Sequence, residues 1–172
     1  DNSVFVDNQA GSGGALALGG TRIDARHLSL LRNQEPVGAH LHSEDSEATA
    51  FANSVLDAPS SGSACSGLLS GAAGPNGTLV ESADCVALLG GGTRVESLKY
   101  LRMFATGLWA PVPLFQADSP IIDAGLRSLC THGDAHGRVR PVDGDGNGTA
   151  ECDAGAYEHS NRVSLFANGF EL

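Results

Sequence analysis

The chain has 172 residues, a formal net charge of −10 at pH 7 and a sequence pI near 4.8. This acidic balance argues against phosphate backbones and anionic membrane surfaces as partners, and no apolar run reaches the roughly 18 residues of a membrane span. Glycine is abundant, with 23 residues, whereas aromatic residues make up only 5% of the chain. We therefore expect no nucleic-acid partner, no membrane span, and a core of small side chains in thin layers.

The first sixty residues contain a repeat of about 25 residues. The segment NSVFVDN at 2–8 is followed by HLSLLRN at 27–33 and NSVLDAP at 53–59, which begin 25 and then 26 residues later. Two more strand-like elements recur at similar spacing: GGALAL with VGAHLH, from Gly13 and Val37, and TRIDARH with EATAFAN, from Thr21 and Glu47. Three short strands per period are what one coil of a right-handed parallel β-helix needs. The sequence favours this all-β solenoid over an antiparallel sandwich, because residue identities repeat as well as hydrophobicity.

Alternation within the elements predicts which side chains point inward. In RIDAR, Ile23 and Ala25 are expected inside and the charged residues outside, namely Arg22, Asp24 and Arg26. The arginines of this outward row could bind uronate carboxylates with paired hydrogen bonds, although such a row is more often a solvated surface.

Two asparagines mark equivalent corners of the repeat. Asn8 and Asn33 end the first two NSVFVDN-type segments. Asparagine tolerates the left-handed region and can stack on itself as an amide ladder. We therefore predict left-handed corners and an amide ladder at these positions.

The pattern changes after residue 60. Residues 60–92 are predicted to form a long excursion bounded by cysteines. In the following stretch, Val95, Leu98, Leu101 and Phe104 are spaced three apart, which suits a short helix better than strand alternation but leaves both open. SPIIDAG at 119–125 resembles a final inward-facing strand. We expect residues 1–125 to form β-helix rungs, 126–158 to form a loop-rich cap, and 159–172 to form a last strand or tail.

Four cysteines form an even set in glycine-rich loops: Cys65, Cys85, Cys130 and Cys152. No CxxC pair is present, so two disulfides are expected and the protein is placed outside the reducing cytosol. Nearest-neighbour pairing is favoured, and the other two connectivities stay open.

The stretch RPVDGDGNGTAECDAGAYE is typical of a calcium loop. Oxygen-bearing residues alternate, and Gly148 stands where an EF-hand-type loop turns sharply, but Ala154 occupies the position of the closing carboxylate. Glu151 or Asp153 could complete the shell. The alternative is a solvated acidic turn. The predicted ligands of a structural Ca²⁺ are Asp143, Asp145, Asn147, Thr149, Glu151 and Asp153.

Other polar residues give weaker signals. Lys99 and Arg102 could be bases of a polysaccharide lyase, but no spacing supports this role. The histidine pairs at 40 and 42 and at 132 and 136 could bind a metal, yet zinc needs three or four convergent ligands. Solvated side chains are the preferred interpretation, and no catalytic residue or organic cofactor is predicted.

Several of these motifs together resemble a known family. SPIIDAG at 119–125 and GDAHGRVRPVDGDGNGTAECDAGAYE at 133–158 are similar to the C-terminal signature of secreted bacterial right-handed β-helix proteins of the choice-of-anchor Q type, within the pectin-lyase-like superfold. CSGLLSGAAGPNGTLVESADC at 65–85 resembles a Cys-bounded loop common in the same proteins. The resemblance implies a fold and a secreted or bacterial cell-surface location more strongly than an activity.

These observations lead to a functional expectation. We expect a structural, adhesive or glycan-binding module with a structural calcium site, rather than an enzyme. The alternative is part of a polysaccharide lyase or glycoside hydrolase whose groove lies in other rungs. Because an exposed first rung would offer unpaired strand edges, we expect a preceding β-helix segment or another subunit as partner, with polysaccharide as a further partner.

Overall fold

A computed structural model describes residues 1–34, 36–71, 75–106 and 109–160. The fold is mostly β, with one short α-helix. In chain order the elements are β1 Val4–Val6, β2 Leu16–Gly19, β3 Arg22–Arg26, β4 Ser29–Leu31, β5 Leu41–Ala52, β6 Val55–Leu56, β7 Cys65–Ser70, β8 Leu79–Val80, α1 Ala83–Leu89, β9 Thr93–Arg94, β10 Tyr100–Thr106 and β11 Trp109–Phe115, followed by a 3₁₀ turn at Arg127–Leu129.

Five short strands form sheet 1, which is fully parallel and has the order β1-β4-β6-β8-β9. Val4 pairs with Ser29, Ser29 with Val55 and Val55 with Leu79, so paired residues are 25, 26 and 24 positions apart. The sequence repeat therefore becomes a stack of parallel strands in register.

Sheet 2 is also parallel and is centred on the long strand β5. The first part of β5 pairs with β2 and the second part with β3, while β7 pairs along the opposite edge. Leu41, for example, lies between Leu16 and Cys65, which are 25 and 24 positions away. The register slips by one between Ile23 and Asp24, which accommodates the change from 25 to 26 residues.

The central strands of sheet 1, β4, β6 and β8, are buried on both faces. Leu30 and Leu56 belong to a core cluster shared with β3, β5, β7 and α1. Their neighbours Leu31 and Val55 point the other way, into a second cluster. The second cluster is closed by Leu98, Ile121 and Ala154 from later segments. The segments after β9 therefore cover the outer face of sheet 1.

The corners are left-handed, but one residue earlier than the asparagines. Asp7 and Arg32 have φ of 56° and 54°, whereas Asn8 and Asn33 are not among the residues with positive φ. The predicted left-handed geometry at Asn8 and Asn33 is therefore wrong. The predicted amide ladder is present, because Oδ1 of Asn33 accepts hydrogen bonds from Nδ2 of Asn8 at 2.9 Å and from its backbone N–H at 3.1 Å. The residue after the left-handed corner is fully buried in the second repeat, Asn33, and exposed in the first, Asn8.

A short helix, α1, lies inside the Cys-bounded excursion. Ser82 precedes it in an extended conformation, and Gly90 ends it with φ of 64° while donating its N–H to the Val86 carbonyl. Its buried face carries Cys85 and Leu89, which join the core.

Two expectations about the following segments need correction. The stretch for which helix and strand were both open is not helical: Val95 and Leu98 precede β10, and Leu101 and Phe104 lie exposed in the antiparallel hairpin β10–β11. The predicted strand at 119–125 is a series of turns, with Ile122 N–H bonded to the Ser119 carbonyl and Ala124 N–H to that of Ile121. Because Asp123 has φ of 54°, an extended strand cannot continue through this segment.

The two disulfides pair nearest neighbours, Cys65 with Cys85 and Cys130 with Cys152. This is the connectivity that the sequence favours. The first ties β7 to α1, and the second ties the 3₁₀ turn to the segment that packs on sheet 1.

Candidate metal centre

Three carboxylates converge at the edge of the C-terminal segment. One oxygen from each of Asp123, Asp143 and Asp145 lies within 4.8 Å of the other two. Asp143 and Asp145 come from the predicted calcium loop, whereas Asp123 comes from the turns at 119–125. The structure thus joins two distant segments at one acidic cluster.

Backbone N–H groups hold these carboxylates in place. Asp123 accepts hydrogen bonds from the N–H of Gly144 at 3.1 Å and of Asp145 at 2.9 Å. Asp143 accepts from Gly146 at 2.7 Å and from Gly148 at 2.9 Å. Alternating glycines are used here because the loop must turn its N–H groups inward, and Gly146 and Gly148 both have positive φ.

The other predicted ligands make different contacts. Oδ1 of Asn147 accepts the N–H of Thr149 at 2.8 Å, and its Nδ2 donates to Asp145 at 2.8 Å. Glu151 lies 3.6 Å from Nη1 of Arg127. Asp153 is fully buried, and its Oδ1 accepts the N–H of Asp123 at 2.8 Å. Glu151 and Asp153 are not members of the converging cluster.

Asp153 supports the cluster from the interior by accepting hydrogen bonds from backbone N–H groups. Its other oxygen accepts the N–H of His159, so the carboxyl joins two chain segments. Burial raises the pKa of Asp153 to about 7, because the surroundings disfavour its charged form more than the backbone N–H groups favour it.

The cluster suits a hard cation. Each carboxylate has two oxygens with about four lone-pair sites, so accepting one or two N–H groups leaves capacity for a metal. Ca²⁺ takes six to eight oxygens and accepts irregular arrangements that include water. Asp123, Asp143 and Asp145 therefore fit calcium.

A buried polar network connects this region to sheet 1. Arg140 is only 4% exposed. Its Nη2 donates to the Gly155 carbonyl at 2.8 Å, and its Nη1 contacts the Nδ1 edge of His27. Its Nε lies 3.2 Å from Oε2 of Glu158, an ion-pair contact. Removing either partner of this buried ion pair would destabilise the fold, because the other partner would be left as an unpaired buried charge.

Hydrogen-bonding groups face both ring nitrogens of His27. Oδ1 of Asn53 accepts the N–H of Leu126 at 2.7 Å and Nδ2 donates to the Leu126 carbonyl at 3.1 Å, which fixes the amide orientation. Nδ2 of Asn53 also faces Nε2 of His27 at 3.2 Å. Nδ1 faces the Gly155 carbonyl at 3.2 Å and Nη1 of Arg140. Burial, with the nearby Arg140 charge, lowers the pKa of His27 to about 4.

The weaker candidates are occupied by contacts within the protein. Arg22 pairs with Glu47 at 2.9 Å and Arg26 with Asp24 at 3.0 Å. Lys99 pairs with Asp118. These outward charges match the preferred interpretation of a surface row.

The histidine pairs do not gather into a metal site among the described residues. The expected solvated side chain is wrong for His40, which is fully buried with its Nε2 2.8 Å from Oδ1 of Asp57. His42 contacts the Ser66 hydroxyl at 2.8 Å. Asp134, between His132 and His136, instead accepts backbone N–H groups, including that of Glu158 at 3.1 Å.

Comparison of the chain with protein-family models, curated proteins and solved structures gives no match. Within the described residues, no helix combines the length and apolar character needed to cross a membrane. The two disulfides are typical of proteins outside the reducing cytosol.

Sequence reasoning missed Asp123 and the network of His27, Arg140 and Glu158. A signal for Asp123 exists, because SPIIDAG ends in Asp-Ala-Gly, a pattern of turn residues as well as of a strand end. The network partners lie up to 128 positions apart, as for His27 and Gly155, and no local pattern brings them together.

Proposed function

We propose that this chain is a segment of a right-handed parallel β-helix of the pectin-lyase-like type in a secreted or bacterial cell-surface protein. It serves as a structural and adhesive module that binds glycans, and it carries a structural calcium ion. The observation that carries this proposal is the parallel pairing of strands 24 to 26 residues apart in sheet 1 and about 25 apart in sheet 2.

The calcium proposal is supported by the convergence of Asp123, Asp143 and Asp145. Calcium, when bound, supplies positive charge that offsets repulsion among the three carboxylates. The same three residues link the turns at 119–125 to the loop at 143–149. Asp153 supports them from inside, where it contacts the backbone of Asp123. The ion is therefore assigned to stability rather than to chemistry.

A lyase or hydrolase is the less favoured alternative. A calcium-dependent lyase would need an arginine or lysine beside the ion. Among the described residues, no lysine or arginine forms an ion pair with Asp123, Asp143 or Asp145. Lys99, one of the two residues considered as a lyase base from the sequence, is paired with Asp118 on an exposed surface.

Calcium titration by calorimetry and thermal melting would test the ion. We expect Ca²⁺ to bind and raise the melting temperature, because a ligand that binds only the folded state stabilises it. Asp143→Asn with Asp145→Asn should remove both effects, whereas Asp118→Asn, an exposed carboxylate elsewhere, should keep them. Absence of binding heat and of a melting shift in the unaltered protein would overturn the calcium assignment.

A glycan array and a polysaccharide cleavage assay would test the module. Binding without product formation is the expected result. Product formation that stops in EGTA, while the fold survives, would instead establish a calcium-dependent enzyme. Failure to bind any glycan would overturn the glycan-binding part of the proposal.

A further inference from the structure

We propose that a cleft at one corner of the repeat, lined by four residues with polar side chains and one alanine, binds an uncharged sugar residue of a glycan. The corner cleft is lined by Asp7, Arg32, Gln34, Ala58 and Ser60. This inference rests on the proposed glycan-binding function and assigns it a site and a ligand class.

The corner cleft is built by the repeat itself. Asp7 follows β1, Arg32 follows β4 and Ala58 follows β6, which are neighbours in sheet 1. Asp7 and Arg32 are 25 positions apart, as are Gln9 and Gln34, so side chains from consecutive repeats stack along one edge. The cleft has a volume of about 410 Å³, which lies within the range of small-molecule sites and accommodates one or two sugar rings.

A paired acid and base line one side. Nε of Arg32 donates to Oδ1 of Asp7 at 2.8 Å, and Nη2 of Arg32 contacts the other carboxylate oxygen. This fork leaves the hydrogens of Nη1 and lone pairs of Asp7 for a ligand. Adjacent hydroxyls of a sugar ring can each donate and accept, so one can bind the carboxylate while the next accepts from the guanidinium.

The guanidinium is held in position by neighbouring groups. The Tyr100 ring lies 5.9 Å from Cζ of Arg32, within cation–π range. Asp57 accepts the backbone N–H of Arg32 with both oxygens at 3.0 Å. A pre-positioned donor loses less conformational entropy on binding than a free arginine would.

The other polar residues that the structure describes in the lining, Gln34 and Ser60, are neutral. Oε1 of Gln34 accepts from Nε2 of Gln9 at 3.2 Å, which leaves the Gln34 amide donors for a ligand. Ser60 adds a hydroxyl that can donate or accept. The cleft thus offers both hydrogen-bond donors and acceptors, which the hydroxyl groups of a sugar can use.

Charge favours an uncharged sugar over a uronate. Among the described residues of the lining, the cationic group is Arg32, which is already paired with Asp7. The chain as a whole carries a net charge of −10. An acidic sugar would meet the Asp7 carboxylate without a free cation to pair with, and like charges repel at short range.

Saturation-transfer NMR with the full chain tests the site, using methyl glycosides of glucose, galactose and mannose, their disaccharides, and glucuronate and galacturonate as probes. We expect binding of at least one neutral probe and a loss of at least tenfold in affinity for Arg32→Lys, Asp7→Asn and Gln34→Ala. Arg22→Lys is the matched control, because Arg22 forms an equivalent pair with Glu47 one repeat apart outside the cleft. Gln34→Ala tests the cleft without breaking an ion pair, and circular dichroism checks that each variant is folded.

Each result decides between the proposals. Binding of neutral probes that falls in the three cleft variants but not in Arg22→Lys supports the cleft. Glycan binding that all cleft variants retain overturns the cleft while leaving the glycan-binding function intact. Preference for the uronates overturns the assigned ligand class. If neither these probes nor the glycan array bind, the glycan-binding function fails, and the cleft proposal fails with it.

Discussion

Several polar side chains in the interior of this molecule have specific hydrogen-bond partners. Asn33 is fully buried, and its amide both accepts from Asn8 and donates to the Phe5 carbonyl at 3.0 Å and toward Nδ1 of His40 at 3.1 Å. An unpaired buried amide would cost about 1–3 kcal/mol, so the partners of Asn33 offset a cost of this size. In a core built mostly of leucine and alanine, these bonds help to define which residue stacks on which.

His27 provides a test at the residue scale. It stands where Asn2 and Asn53 stand in the adjacent repeats, and all three have positive φ. Because the folded state lowers its pKa from 6.5 to about 4, the unfolded chain binds the proton first as pH falls. The neutral ring therefore contributes on the order of 3 kcal/mol above pH 6.5, and this contribution is lost progressively toward pH 4.

We expect His27→Asn to flatten this part of the stability profile, because asparagine tolerates the left-handed corner and does not titrate. Urea denaturation at intervals from pH 7 to pH 4 would measure it, with His42→Asn as the half-buried histidine control. An unchanged slope between pH 6.5 and 4 in His27→Asn would contradict the buried neutral histidine.

At the scale of elements, the sequence predicts the strands that follow the 25-residue repeat but not the helix and the hairpin that lie outside it. The strands of the first sixty residues were predicted from repeated segments, because equivalent residues must fill equivalent sites in each layer. Helix α1 was missed although Ser82, Val86 and Gly90 give a start, an apolar face and a stop. The sequence does not decide between a helix and the hairpin β10–β11. Its apolar residues are spaced by threes, and the strand register is irregular, with breaks after Tyr100 and Phe104.

A substitution at Gly67 would test how closely β7 approaches β5. A Cβ at this position would lie 1.9 Å from the carbonyl oxygen of Ser43, and Gly67 has φ of +95°. We expect Gly67→Ala to destabilise the protein by several kcal/mol, because backbone must move and an alanine is strained at this φ. Gly19→Ala is the control, since nothing lies within 4 Å of its added Cβ.

Chemical denaturation of the two glycine variants would make the comparison. Equal stability of Gly67→Ala and Gly19→Ala would contradict the close pairing of β5 with β7. The pairing register changes between Ser43 and Ser46, and the glycine lets the strands approach at this irregularity.

At the scale of the whole molecule, the C-terminal segment acts as a second layer on sheet 1. The N–H of Gly155 donates to the Asn53 carbonyl at 2.7 Å, and that of Ala156 donates to the Ser29 hydroxyl at 2.9 Å. Cys130–Cys152 lies in this layer, whereas Cys65–Cys85 lies in the excursion next to sheet 2. The sequence predicted both pairings but not that the layer lies along a sheet face.

The two disulfides should stabilise different parts of the fold. Their sequence separations of 22 and 20 residues give nearly the same chain-entropy contribution, roughly 3 kcal/mol each. We expect the double alanine variants to lose similar free energies of unfolding. Hydrogen exchange should separate them: loss of Cys130–Cys152 should expose the amides of 153–156, and loss of Cys65–Cys85 those of α1.

Denaturation and exchange measured on the same samples would check both points. Uniformly faster exchange throughout the chain in either variant would contradict a layered construction. Unchanged exchange at 153–156 after loss of Cys130–Cys152 would show that hydrogen bonds alone hold the layer.

The contacts between the outer layer and the first strands also set a timescale for biosynthesis. His27 reaches Gly155, and Nδ2 of Asn2 donates to the Gly133 carbonyl at 2.8 Å, so partners lie 128 and 131 positions apart. A ribosome adding 5–20 residues per second needs roughly 6–26 seconds to make that intervening length. Throughout that delay the outer face of sheet 1 lacks its cover, so this surface is where a nascent chain would most need a chaperone.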